Sequence, residues 1–312
     1  MFEATPAGSG RQPGGDFCAV AVNEWNVNCN ANAVAVGRQG LGTKDGAWRR
    51  GHSTNLVGVP TDLLASAAFN DAALPLHIAG ARETNPHLFQ LLEQAADRTA
   101  AAAIFEHYMQ IMFGLDPPRQ AEPDSVHRRR YRSSYSRLLR GWAYDSNSPE
   151  GAVLKGWVES RFGLFPTFHK GRIDTFGDAA WVGYVEAKMG SRFHNNAIYS
   201  QLDLLYEFCQ WTLGRISPDC RHWLLFRGVV DFSEHQVVER LDRRRMVVRL
   251  NNLISFTAHR DMATWLGDTI LEAAVPLSKV LFFNELLPRH ALKGEGEVLA
   301  IGGDYRVRAR YD

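Results

Sequence analysis

Apolar positions change period along this chain. Between residues 88 and 113 they recur in steps of three and four: Leu88, Leu91, Leu92, Ala95 and Ala96, then Ile104, Tyr108, Ile111 and Met112. That spacing predicts one long helix, stopped by Gly114 and Pro117-Pro118. Residues 63–69 predict a short helix capped by Thr61 or Asp62. Residues 151–162 and 196–213 predict two more, the second with a core-facing stripe of Ile198, Leu202, Leu205 and Phe208. After Pro218 the runs shorten to strand length: 223–230, 247–250, 253–257, 280–283 and 297–301. Residues 305–311 alternate with period two, and the alanine-rich stretch 261–274 predicts a helix among these strands. Helices first and strands later indicate an α+β fold rather than alternating βαβ units.

This division suggests three parts. Residues 1–52, rich in Gly, Ala and Asn without sustained periodicity, read as a mobile N-terminal extension. Residues 53–219 form a mainly helical region packed on a β-rich core of residues 220–312. The stretch Gly37-Arg-Gln-Gly-Leu-Gly42-Thr43-Lys44 approaches a phosphate loop, but Thr43 and Lys44 stand in the wrong order for a lysine on phosphate and a hydroxyl on magnesium.

Composition narrows the function. With 45% hydrophobic residues among 312, the chain can bury a substantial core. A near balance of 35 basic and 34 acidic residues argues against a nucleic-acid binder. No apolar run approaches the roughly 18 residues that cross a bilayer, and no leader pattern opens the sequence, so a cytoplasmic protein is expected. The four cysteines, Cys18, Cys29, Cys209 and Cys220, have no metal or redox spacing, and the histidines form no zinc pair, so no metal is expected. The basic run from His127 to Arg132, continued by Arg137 and Arg140, reads as a solvated helix face or a contact for an acidic partner.

Three features of the last third carry candidate chemistry. Arg227 sits inside Leu224-Leu-Phe-Arg-Gly-Val-Val230. A charge there needs a partner, either in a structural ion pair or as a clamp on phosphate oxygens, with Gly228 admitting a ligand to the backbone. Ser255 and Thr257 project from one face of the strand 253–257. Glu295 and Glu297, two apart before an apolar strand, would share a face if the strand starts there. Like charges so placed repel, and paired carboxylates serve to stabilise an oxocarbenium-like centre and to handle a proton. A solvated turn is the alternative for that pair.

The order Arg, Ser-x-Thr, Glu-x-Glu resembles the arginine/serine/glutamate class of mono-ADP-ribosyltransferases over residues 221–312. Further upstream, His52-Ser-Thr-Asn-Leu-Val-Gly-Val-Pro60, Leu74-Pro-Leu-His-Ile-Ala-Gly80 and Asn85-Pro-His-Leu-Phe89 are similar to the NAD-dependent dinitrogenase reductase ADP-ribosyltransferases of nitrogen-fixing bacteria. The resemblance implies an ADP-ribosyltransferase-type core of packed mixed or antiparallel sheets. It implies cleavage of NAD, a consumed substrate, and transfer of ADP-ribose to an arginine of dinitrogenase reductase, the nitrogenase iron protein. It further implies that the modification switches nitrogen fixation off and that the signalling protein PII activates the enzyme. Carried onto this chain, Arg227, Gly228, Ser255 and Thr257 would bind NAD. Glu297 would stabilise the developing charge, and Glu295 would hold the incoming guanidinium. The alternatives are the same chemistry on another acceptor, NAD hydrolysis alone, or a regulatory binder without turnover.

Overall fold

The computed structural model of the chain describes residues 50–115, 132–230, 235–288 and 296–311. The glycine-rich stretch 37–44, and all of the expected extension before residue 50, lie outside the described residues. Arg50–His52 already belong to the folded body: Gly51 pairs with Leu164, and Arg50 reaches Asp304 at 3.0 Å.

Local capping decides the helix boundaries. The stretch expected as one short helix is two, α1 (Thr61–Leu64) and α2 (Ala67–Asp71). Ser66 divides them, its hydroxyl accepting from Phe69 N at 3.2 Å and donating to Leu63 O at 2.7 Å. The long helix expected over 88–113 is likewise two, α3 (Pro86–Glu93) and α4 (Arg98–Phe113). Between them Asp97 adopts extended backbone and accepts from Ala100 N at 2.8 Å, an N-cap inside a continuous apolar pattern. Next come α5 (Tyr135–Tyr144), α6 (Pro149–Phe162), α7 (Ala179–Met189) and α8 (Ile198–Ile216). Periodicity gave no bounds for α5, although Arg137 and Arg140 read as a helix face, and none for α7. In α5, Tyr135, Leu138, Leu139 and Trp142 are buried while Arg137 and Arg140 are exposed, so these two arginines form the polar face of an amphipathic helix. Residues 127–131 of the basic run lie outside the described residues.

The strands are β1 (His222–Val229), β2 (Gln236–Arg240), β3 (Arg245–Thr257), β4 (Thr269–Pro276), β5 (Val280–Phe283) and β6 (Glu297–Tyr311). The two strands expected within 247–257 are one, bulged between Leu250 and Leu253, and the two expected within 297–311 are also one. The bulge turns Asn252 inward, where its amide donates to Lys155 O and Leu164 O, both at 2.9 Å, tying α6 to the sheet. The helix expected over 261–274 is corrected: α9 spans only Arg260–Thr264, and β4 follows. Ala273 and Ala274 lie in β4 opposite Leu225 and Leu224 of β1, so sheet pairing overrides the helical preference of alanine.

The register pairs between these strands are antiparallel. β3 lines one edge of β6. The other edge of β6 takes β5 near its start and β4 near its end. β4 takes β1, and β1 returns to β3 at one pair, Phe226 opposite Thr257. The sheet therefore curls until β1 and the end of β3 meet beside the start of β6. One continuous core, from Leu64 to Ala309, joins helices and sheet, with α8 packed on β5 and α6 on β3.

Candidate active site

The meeting point of β1, β3 and β6 gathers four of the residues singled out in the sequence, Arg227, Ser255, Thr257 and Glu297. Thr257 pairs with Glu297 across β3 and β6, and Ser255 with Leu299. Directly opposed residues in antiparallel strands share a face, so Ser255, Thr257 and Glu297 point the same way. Ser255 Oγ donates to Glu297 Oε1 at 2.8 Å. Arg227 Nη1 donates to the Ser255 carbonyl at 3.0 Å, which sets the guanidinium against β3. Arg227 is thus tied to the backbone of Ser255, whose hydroxyl holds Glu297, and all three residues are half-buried rather than sealed.

The backbone around Glu297 is held from both sides. Its carbonyl accepts from Asn284 N at 3.0 Å, and Ala258 N donates to Gly296 O at 2.9 Å. Gly296 has φ +63°, the left-handed region, and a Cβ there would stand 2.7 Å from the His259 ring. The left-handed backbone favours glycine there. Extended backbone begins only at Glu297, so the alternation that would put Glu295 on the same face does not run back through Gly296. Glu295 lies outside the described residues.

Two other residues expected at the site also make structural contacts. The Thr257 hydroxyl accepts from His259 N at 3.1 Å and is nearly buried, so it fixes the turn into α9. Gly228 makes room for protein: a Cβ there would fall 2.0 Å from Ala263 O and 2.9 Å from Gly267 N. The α9 turn and the residues after it cover that face of Gly228. A cleft lined by Trp223, Leu225, Val298, Gly296, Ala258 and His259 opens behind the same turns, on the reverse face of β6.

Sequence reasoning missed Trp142. Its indole Nε1 donates to Ser255 Oγ at 2.9 Å from α5, 113 positions upstream. The signal available was the stripe Tyr135, Leu138, Leu139, Trp142, which marks an amphipathic helix but names no partner. Among the described residues, no three His, Cys, Asp or Glu side chains converge as metal ligands, and no helix is long and apolar enough to cross a membrane. Cys209 and Cys220 are buried free thiols. Burial pushes Cys209 well above the ordinary thiol range, which keeps it protonated and inert.

The connected Arg, Ser and Glu combine a cation suited to phosphate, a hydroxyl, and a carboxylate fixed in direction. Residues 54–309 match the model of the dinitrogenase reductase ADP-ribosyltransferase family. The chain is 60% identical over 266 residues to the NAD(+)--dinitrogen-reductase ADP-D-ribosyltransferase of Rhodospirillum rubrum, an overlap of 84% of this chain and 96% of that protein. No solved structure matches the chain. From the family match across most of its length, and from its close relative, the chain belongs to the dinitrogenase reductase ADP-ribosyltransferase family.

Proposed function

We propose that this chain cleaves NAD at the nicotinamide–ribose bond and transfers the ADP-ribose to an arginine of dinitrogenase reductase, switching nitrogenase off. The connected group Arg227–Ser255–Glu297 is the observation that supports the reading most directly. Glu297 accepts from the nicotinamide-ribose 2′-hydroxyl and stabilises positive charge at the anomeric carbon as nicotinamide departs with the bond's electron pair. Arg227 pairs with pyrophosphate oxygens, its planar fork suited to two of them. The Gly228 backbone holds the carboxamide, and Ser255 orients Glu297. Thr257 keeps the sugar-side turn in place. Glu295 anchors the acceptor guanidinium, so that one nitrogen bonds to the anomeric carbon and gives up its proton. No metal takes part in this scheme. PII acts as activator, and the reaction takes place in the cytoplasm.

The test is an assay with labelled NAD, dinitrogenase reductase and this chain, with and without PII and ADP. Label should appear on an arginine of the iron protein, increase with PII, and fall on the order of 10²-fold or more in Glu297→Ala, the scale of one transition-state electrostatic group. Nicotinamide release without labelled protein would assign NAD hydrolysis instead. NAD binding without release would make the chain a regulatory binder.

A further inference from the structure

Ser255 stands between two partners. Trp142 Nε1 lies 2.9 Å from its Oγ on one side, and Glu297 Oε1 lies 2.8 Å away on the other. An indole nitrogen carries a hydrogen and cannot accept, whereas a serine hydroxyl has a single hydrogen that it can turn toward any neighbour. Trp142 therefore takes a lone pair of Ser255, and the Ser255 hydrogen is left for the carboxylate. We infer that Trp142 is a positioning residue for the transfer reaction, fixing the direction of the Ser255 hydrogen bond and, through it, the orientation of the Glu297 carboxylate. The inference rests on the catalytic reading of Glu297 proposed above.

The placement of Trp142 suits that task. It is only 5% exposed and lies on the apolar face of α5 with Leu138 and Leu139, both at 2% or less. Ser134 caps this helix, accepting from Arg137 N at 3.4 Å. The buried Lys155 amine sits over the indole at 5.8 Å from its centroid, held there by the Phe168 carbonyl at 2.9 Å. The donor is thus fixed by helix packing, whereas a lone serine hydroxyl could turn away from Glu297 toward a ribose hydroxyl of the substrate. Such prior alignment lowers the reorganisation needed as charge develops, so its loss falls on turnover rather than on NAD binding.

Trp142→Phe keeps the aromatic bulk and removes the N–H. The expected result is a folded protein with a KM for NAD within about twofold of the parent and a kcat for nicotinamide release lower by roughly tenfold, the scale of one directed hydrogen bond. In a Ser255→Ala background, where nothing remains to be aligned, the same change should cost nothing further in kcat. An unchanged kcat in Trp142→Phe would overturn the inference. So would an equal proportional loss in the Ser255→Ala background, which would mean that the ring acts by packing alone.

If Trp142→Phe does not fold, NMR of the parent decides the question. The Trp142 indole N–H resonance, assigned through its contacts with Ser255, should move in Ser255→Ala and, by a smaller amount, in Glu297→Gln. No movement in either variant removes the chain of bonds. Glu297→Gln assayed alongside keeps the two readings apart. Full nicotinamide release by that variant would defeat the catalytic reading of Glu297. An inactive Glu297→Gln beside a fully active Trp142→Phe would defeat the inference about Trp142 alone.

Discussion

Glu295 and Glu297 differ in what the chain does between them. Glu297 opens β6, with its carbonyl held by Asn284 and its carboxylate by Ser255. Gly296, just before it, has left-handed backbone, and a Cβ there would crowd the His259 ring. In the proposed function Glu297 serves NAD and Glu295 the acceptor. Glu295→Ala should then lose labelling of the iron protein far more than nicotinamide release, because water can take the place of the arginine once its charge-assisted anchor is gone. Nicotinamide release and protein labelling measured in parallel check this, and equal loss of both would show one cooperative carboxylate pair instead. Arg227, Ser255 and Glu297 were legible in the sequence because each interrupts or borders an apolar strand with a group that strand packing does not need. Trp142 was not, since an aromatic in an apolar stripe looks like core, and only the fold reveals which hydroxyl its N–H finds.

At the scale of elements, the candidate site depends on how closely α9 approaches β1. Gly228 and Gly267 permit that approach: a Cβ on Gly267 would stand 2.3 Å from the Val229 carbonyl carbon, and one on Gly228 would stand 2.0 Å from Ala263 O. Backbone cannot yield as a flexible side chain can. Gly228→Ala should therefore push α9 off the sheet, lower the melting temperature, and raise the KM for NAD. Gly183, in the middle of α7 with open space around its Cα, is the contrast. There alanine should stabilise by about 0.5–1 kcal/mol through helix propensity. Thermal melts of both variants test the pair, and a Gly228→Ala melt equal to the parent would show that the turn has room to move. Periodicity located most of the helices and strands, and it failed where a local or a distant contact outweighed it. Ser66 and Asp97 break helices with side-chain caps inside apolar patterns, and β4 converts an alanine-rich segment to strand because β1 flanks it on one edge and β6 on the other. In α5 the exposed arginines mark the solvated face, and the stripe Tyr135, Leu138, Leu139 and Trp142 marks the buried one.

The whole molecule buries cations in its core, and this sets its response to pH. Lys279 is fully buried, donating to Leu64 O at 2.8 Å and Gly302 O at 3.1 Å, and so links α1 to β6. Lys155 is almost as deeply buried in α6. Burial pushes each amine from its ordinary 10.5 down to about 7, and burial, with Lys155 beside it, brings His169 from 6.5 to about 4. Each of these groups binds its proton more weakly in the folded chain than in the unfolded one. Their stabilising contribution is therefore complete above the unfolded value and is lost as pH falls through the folded one. The lysines make stability rise from about pH 7 toward 10, and His169 adds a rise between about 4 and 6.5. Buried tyrosines, Tyr184, Tyr206 and Tyr305 among them, are pushed above the ordinary 10.0 by burial, so stability falls again once unfolded tyrosine can ionise. Melting temperature should thus climb between pH 7 and about 9.5 and turn over beyond 10. Lys279→Met removes one of the two lysine contributions, so its melting curve should rise less steeply over that interval, whatever its absolute stability. A parent melting temperature that is flat from pH 7 to 9.5, or a Lys279→Met slope equal to the parent's, would mean that the buried amine keeps its proton as readily in the folded chain as in water.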